Sequence, residues 1–150
     1  MFAQFARTHK VILKLMLKTI NGEIMEKELI IKRCNRCGAV VEMLHDCDCN
    51  DCGIVCCGEN METLNPNSTD AAAEKHLPVY EIVGNYIIVS VPHVMESEHY
   101  IEFIGLYSAN INAKKYFTAG NSAKAVFPYI KGAKLFAYCN KHGLWETTIQ

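Results

Sequence analysis

From Leu77 onward the chain alternates between short apolar runs and polar breaks. The runs PVYEIV, NYIIVSV, YIEFIGLY, KAVFPYI and KLFAYC are rich in Val, Ile, Tyr and Phe. Gly84-Asn85, Ala119-Gly120-Asn121 and Lys131-Gly132 separate some of them, with the residue types that turns need. Several short strands at this spacing predict a mainly β domain, an antiparallel sandwich or barrel, over residues 66–150.

Residues 28–63 follow another pattern. ELIIKRCNRCGAVVEML reads as a strand, a cysteine knuckle with a glycine, and a second strand; CGIVCCGENMETL closes the unit. It has too few large apolar residues for a core of its own and needs a staple. NPNSTDAAAEKH, residues 65–76, is the linker, ending in a short helical turn at most. Residues 1–24 form an extension. There Arg7, Lys10, Lys14 and Lys18 recur at three or four and make a basic stripe on a helix. Lys14 and Lys18 interrupt the apolar run, so it does not span a bilayer. A targeting or membrane-surface helix is one reading. The expected one is a disordered extension, or sequence upstream of a start at Met25.

The bulk numbers add little until cysteine is counted. Half of the 150 residues are apolar, and 15 basic against 16 acidic residues leave a net charge of -1. That gives no reason to expect nucleic acid as a partner. No Gly-rich phosphate loop and no G-x-S-x-G nucleophile motif is present. Seven of the eight cysteines, however, fall between Cys34 and Cys57. No stretch has the form of a secretory signal. The expected compartment is therefore the reducing cytoplasm, with no membrane partner, where clustered cysteines point to metal more often than to disulfides.

Cys34-x2-Cys37-Gly38 has the form of a metal knuckle, and Cys56-Cys57 supplies a second pair. Four thiolates suit tetrahedral zinc or iron; the competing reading is a pair of disulfides. Between the pairs, HDCDCNDCG adds Cys47, Cys49 and Cys52 with His45 nearby. These form a separate site, replace one of the four ligands, act as redox thiols, or mark a hairpin tip that binds nothing. Their acidic neighbours Asp46, Asp48 and Asp51 tend to raise thiol pKa values.

A second cluster comes from EKHLP, HVMESEH and CNKHG, which hold His76, His93, His99, Cys139 and His142. A lone histidine among strands is usually an ordinary surface or core residue. Four with one cysteine, each at a strand end or turn, are less easily dismissed. The six-residue spacing of His93 and His99 fits one side of a strand better than one face of a helix. Imidazoles with one thiolate suit Fe, Zn or Cu, so the residue types alone do not choose the metal.

These motifs resemble the superoxide reductase family, the desulfoferrodoxins and neelaredoxins, over residues 28–150. The residues that carry the resemblance are Glu74-Lys75-His76 before Leu77-Pro78, His93 and His99 with Met95, Glu96 and Glu98 between and Tyr100 after, and Cys139-Asn140-Lys141-His142-Gly143-Leu144-Trp145. The pairs Cys34/Cys37 and Cys56/Cys57 look like the desulforedoxin-type module of the two-iron members. One departure is that Pro92 precedes His93, where members often have proline after that histidine.

The resemblance implies an immunoglobulin-like β sandwich with the small cysteine module appended, usually as a homodimer. It implies iron with His76, His93, His99 and His142 in one plane and Cys139 axial, and a second iron, or zinc, at the four cysteines. It implies reduction of superoxide to hydrogen peroxide, with electrons from rubredoxin or a similar donor. Lys75 would draw and stabilise the anion, and Glu74 would bind ferric iron once substrate has left. The segment VPHVMESEHY would leave the sheet at Pro92, cross the site and re-enter at Tyr100. A zinc-holding structural module and a plain electron-transfer protein are the rival readings.

Overall fold

The computed structural model describes residues 28–45 and 53–150. The expectations for residues 1–24 and for Cys47, Cys49 and Cys52 fall outside the described residues. The strands in chain order begin with β1 (Ile30–Arg33), β2 (Val40–Met43), β3 (Val55–Cys56), β4 (Glu59–Asn60) and β5 (Glu62–Thr63). After a 3₁₀ turn at Ala73–Lys75 come β6 (Val79–Val83), β7 (Tyr86–Ser90), β8 (Ile101–Tyr107) and β9 (Asn112–Tyr116). The last three are β10 (Lys124–Pro128), β11 (Lys134–Cys139) and β12 (Gly143–Thr148).

Alternation of apolar and polar residues builds the first large sheet, in the order β10-β7-β6. Ile87 and Val89 point inward from β7, and Ala125 and Phe127 from β10. Their neighbours Tyr86 and Val126 face solvent, as a period of two requires. The second sheet, β12-β11-β8-β9, is antiparallel throughout. Ile104 and Leu106 of β8, Leu135 and Ala137 of β11 and Trp145 of β12 close the core against the first sheet. The result is an immunoglobulin-like β sandwich of three- and four-stranded sheets.

β11 is buried on both faces, which a single core does not explain. Its outward residues Phe136 and Tyr138 form a second cluster with Phe103, Tyr107 and Leu144, and Ile31 of β1 joins it. Leu29, Val40 and Leu64 pack around that cluster. So the small β2-β1-β5 sheet has no core of its own and uses the outer face of the sandwich instead. A Lys114–Glu42 ion pair at 2.8 Å and a hydrogen bond from the Tyr107 hydroxyl to the Glu28 carbonyl fasten its rim.

Two strands lie outside the apolar runs. β9 reads NAKKY and is polar because it is a sheet edge, where lysines discourage pairing with another chain. β12 begins within the CNKHGLW segment, where possible metal ligands masked the start of a strand. The expected Cys139–His142 turn is the hairpin between β11 and β12.

Ile31 is 2% exposed and is the cysteine unit's fully buried contribution to the second cluster. Ile31→Ala should cost about 2–5 kcal/mol in a denaturant titration. Val126→Ala, on the exposed face of β10, should change stability by less than about 0.5 kcal/mol.

Candidate metal centres

The larger centre is assembled at one end of the sandwich. His76 directly follows the 3₁₀ turn and is buried. His93 and His99 lie in the connection between β7 and β8, not on a continuous strand, and a backbone bridge pairs Glu96 with His99. The same-side spacing of the two histidines is therefore not what brings them together. Cys139 ends β11 and is fully buried. His142 sits in the following turn, which Gly143 completes at φ 74°, a conformation that glycine adopts without penalty.

Backbone carbonyls set the tautomers. His76 Nδ1 donates to the Ala72 carbonyl at 2.7 Å, and His93 Nδ1 donates to the Val94 carbonyl. Each neutral ring then carries its lone pair on Nε2. Those two Nε2 atoms face each other at 3.1 Å. Two lone pairs share no hydrogen bond, so the contact calls for a cation.

The sequence of nitrogens continues from His76 Nε2 to His142 Nδ1 at 2.9 Å and from there to His99 Nε2 at 3.2 Å. A metal–nitrogen bond of about 2.1 Å puts adjacent corners of a square about 3.0 Å apart. Cys139 Sγ lies 3.5 Å from His93 Nε2 and 3.7 Å from His142 Nδ1. All five donor atoms fall within 4.8 Å of one another. The residues present fit a first-row metal.

Burial pushes His93, His99 and His142 below the ordinary imidazole range, which favours the neutral, metal-binding form. Burial pushes the Cys139 thiol up, against backbone N–H groups of His142 and Lys141 that favour the thiolate. Trp145 stacks on the His76 ring with centroids 4.7 Å apart and planes at 21°. Thr69 Oγ1 donates to the His142 carbonyl at 2.7 Å.

Glu74 and Lys75 are exposed on the 3₁₀ turn immediately before His76. Neither belongs to the five-donor group. The charge of Lys141 opposes protonation of His99 and His142. Sequence reasoning assigned no role to Trp145, Thr69 or Lys141. Trp145, the chain's single tryptophan, and Lys141 stood inside a quoted motif, but nothing marked the Thr69 contact or the two carbonyls.

The smaller centre gathers Cys34, Cys37, Cys56 and Cys57, whose sulfurs also lie within 4.8 Å of one another. All four are free thiols. Cys37 Sγ is 3.6 Å from Cys56 Sγ, which is 3.9 Å from Cys57 Sγ. A disulfide needs about 2.05 Å, whereas a tetrahedron with metal–sulfur bonds of about 2.3 Å spaces its sulfurs about 3.8 Å apart. Cys57 and Gly58 both have positive φ between β3 and β4, as primed two-residue hairpin turns require. Backbone N–H groups of Cys37 and then Arg36 pull the Cys34 thiol down to about 7, while the neighbouring thiols, Cys37 foremost, push Cys56 up to about 12.

The family model described as Desulfoferrodoxin matches residues 68–148. The desulfoferrodoxin of Syntrophotalea carbinolica is 41% identical over 128 residues, which are 82% of this chain and 98% of that protein. The superoxide reductase of Pyrococcus abyssi is 36% identical over 106 residues, 55% of this chain and 92% of that protein. The crystal structure of the superoxide reductase from Treponema pallidum covers 81% of this chain and 100% of its own, with a TM-score of 0.62 at 24% identity; that likeness speaks for the fold.

A metal that binds Cys139 displaces a proton, because the raised thiol is protonated at neutral pH. His93, His99 and His142, lowered by burial, are already neutral there and displace none. Ferrous-iron affinity should therefore rise with pH above neutrality. In competition with a chelator from about pH 7 to about pH 9, Cys139→Ala should remove that part of the rise. The difference between the two proteins separates Cys139 from the four-cysteine cluster.

Proposed function

The chain belongs to the desulfoferrodoxin family, and on that footing we propose that it is a superoxide reductase. The reaction takes superoxide, one electron and two protons to hydrogen peroxide. The observation that carries this reading is the pair of lone-pair nitrogens facing each other at 3.1 Å, within a set of four imidazoles joined by the Cys139 thiol. A relative that aligns over most of its own length bears the name superoxide reductase.

Iron held by His76, His93, His99, His142 and Cys139 would supply the electron by passing from the ferrous to the ferric state. Neutral imidazoles favour the ferrous state, and the Cys139 thiolate adds electron density to the metal. The backbone N–H of His142, 3.4 Å from Cys139 Sγ, holds that thiolate in place. His93 is only half-buried and Val94 is exposed, and a diatomic anion needs no deeper pocket. Lys75 draws the anion from the exposed turn and stabilises charge on the reduced product. Glu74, beside it, is the carboxylate we assign to the ferric site once product has left.

Cys34, Cys37, Cys56 and Cys57 would hold a second iron, with zinc the alternative, since their spacing suits either. We assign electron supply to rubredoxin or a similar small redox protein, and a homodimer as the assembly. Among the described residues no helix is long and apolar enough to cross a membrane. Free thiols in both clusters favour a reducing compartment, and we place the protein in the cytoplasm.

Metal analysis and the visible spectrum of anaerobically purified protein test the assignment first: iron and a thiolate-to-iron band are expected, and a colourless zinc protein would sink it. Cys139→Ser should abolish the band of the larger centre and most superoxide reduction. Lys75→Ala should slow the reaction with superoxide on the order of threefold to tenfold and flatten its salt dependence. An unchanged rate at low salt would remove Lys75 from the steering role.

A further inference from the structure

Asn140 stands between Cys139 and His142 in sequence, and its side chain reaches the segment that carries His99. Its Oδ1 accepts the Tyr100 N–H at 3.0 Å. Its Nδ2 donates to the Glu98 carbonyl at 3.1 Å. Its own backbone N–H donates to the Tyr100 carbonyl at 3.2 Å. Glu98 and Tyr100 are the residues on either side of His99. One side-chain amide thus pairs with the backbone before and after this histidine, as a neighbouring strand would.

A strand is not available there. The β8–β11 register slips between Tyr138 and Cys139, and β8 begins only at Ile101. The side chain takes over where the ladder ends. His99 also has a particular need for it. The rings of His76 and His93 are anchored through Nδ1 to carbonyls. Among the described residues, His99 Nδ1 has no such hydrogen bond, so its ring depends more heavily on the placement of its backbone.

We propose that Asn140 is a positioning residue that locks the His99-bearing loop to the Cys139–His142 turn, so that the His99 imidazole and the Cys139 thiol converge before a metal arrives. The proposal rests on the reading of His99 and Cys139 as ligands of one site.

Three quantities test it: hydrogen exchange at the Tyr100 amide in metal-free protein, the thiolate-to-iron band, and iron release from the loaded protein into a chelator. Asn140→Ala should speed Tyr100 exchange roughly fivefold to tenfold. It should shift the band of the larger centre and speed iron release from it on the order of tenfold. Iron in the four-cysteine centre of the same molecules should stay in place. Asn140→Asp keeps the acceptor for Tyr100 but not the donor to Glu98, and should fall between. If Asn140→Ala does not fold, Asn140→Asp and Asn140→Ser report the same quantities.

Faster exchange or a lower melting temperature with an unchanged band and unchanged release would overturn the proposal, since that is a merely structural role. His99→Ala tells this failure from failure of the site itself. If His99→Ala releases iron as the parent does, His99 is no ligand and the proposal falls with the site reading. If His99→Ala loses iron quickly while Asn140→Ala behaves as the parent, the site stands and the proposal alone falls.

Discussion

Two imidazole nitrogens that carry lone pairs are aimed at the same point at one end of this sandwich. His76 and His93 have committed their N–H groups to backbone carbonyls. In the neutral rings their free nitrogens therefore meet without a proton between them, at 3.1 Å. His99, His142 and Cys139 crowd the same point. Such an arrangement is costly unless a cation is shared, and it holds only if rigid elements bring the donors together. The sandwich provides these: a 3₁₀ turn into β6, the β7–β8 connection and the β11–β12 hairpin all end beside one another.

The details of the sheets serve that convergence. Plain alternation along β11 places Cys139 with the inner core cluster and Tyr138 with the outer one, and the slip in register opposite them turns Ile101 of β8 inward beside Cys139. Bulges recur beside functional sites because they re-aim a side chain. Trp145, one strand over, lies flat against His76 and links the centre to the main core. On the far face, the cysteine unit covers Phe136 and Tyr138 through Ile31. The two metal centres thus share β11, one through its end and the other through the layer packed on its outer side.

Much of this was legible in the chain. The apolar runs located β6, β7, β8, β10 and β11, because buried strand faces leave a compositional mark. The three His/Cys motifs and the two cysteine pairs named the residues that the structure brings together, because metal ligands come from few residue types. β9 was not legible: an edge strand written NAKKY looks like a loop. Nor was the docking of the cysteine unit, since Ile31 and Leu29 look the same whether they face their own core or another sheet. The carbonyls of Ala72 and Val94 leave no trace at all, because every residue has one. Glu74 and Lys75 were named by motif and lie beside His76, but an exposed side chain can take many positions that sequence does not choose among.

The account turns on whether the five-donor centre delivers one electron to superoxide and nothing more. Rapid mixing of the reduced, iron-loaded protein with superoxide, with peroxide and dioxygen both counted, tests that directly. One peroxide formed for each superoxide consumed, with no dioxygen evolved, is the result this account predicts. One peroxide for every two superoxides with dioxygen released, or no consumption above the uncatalysed rate, would contradict it.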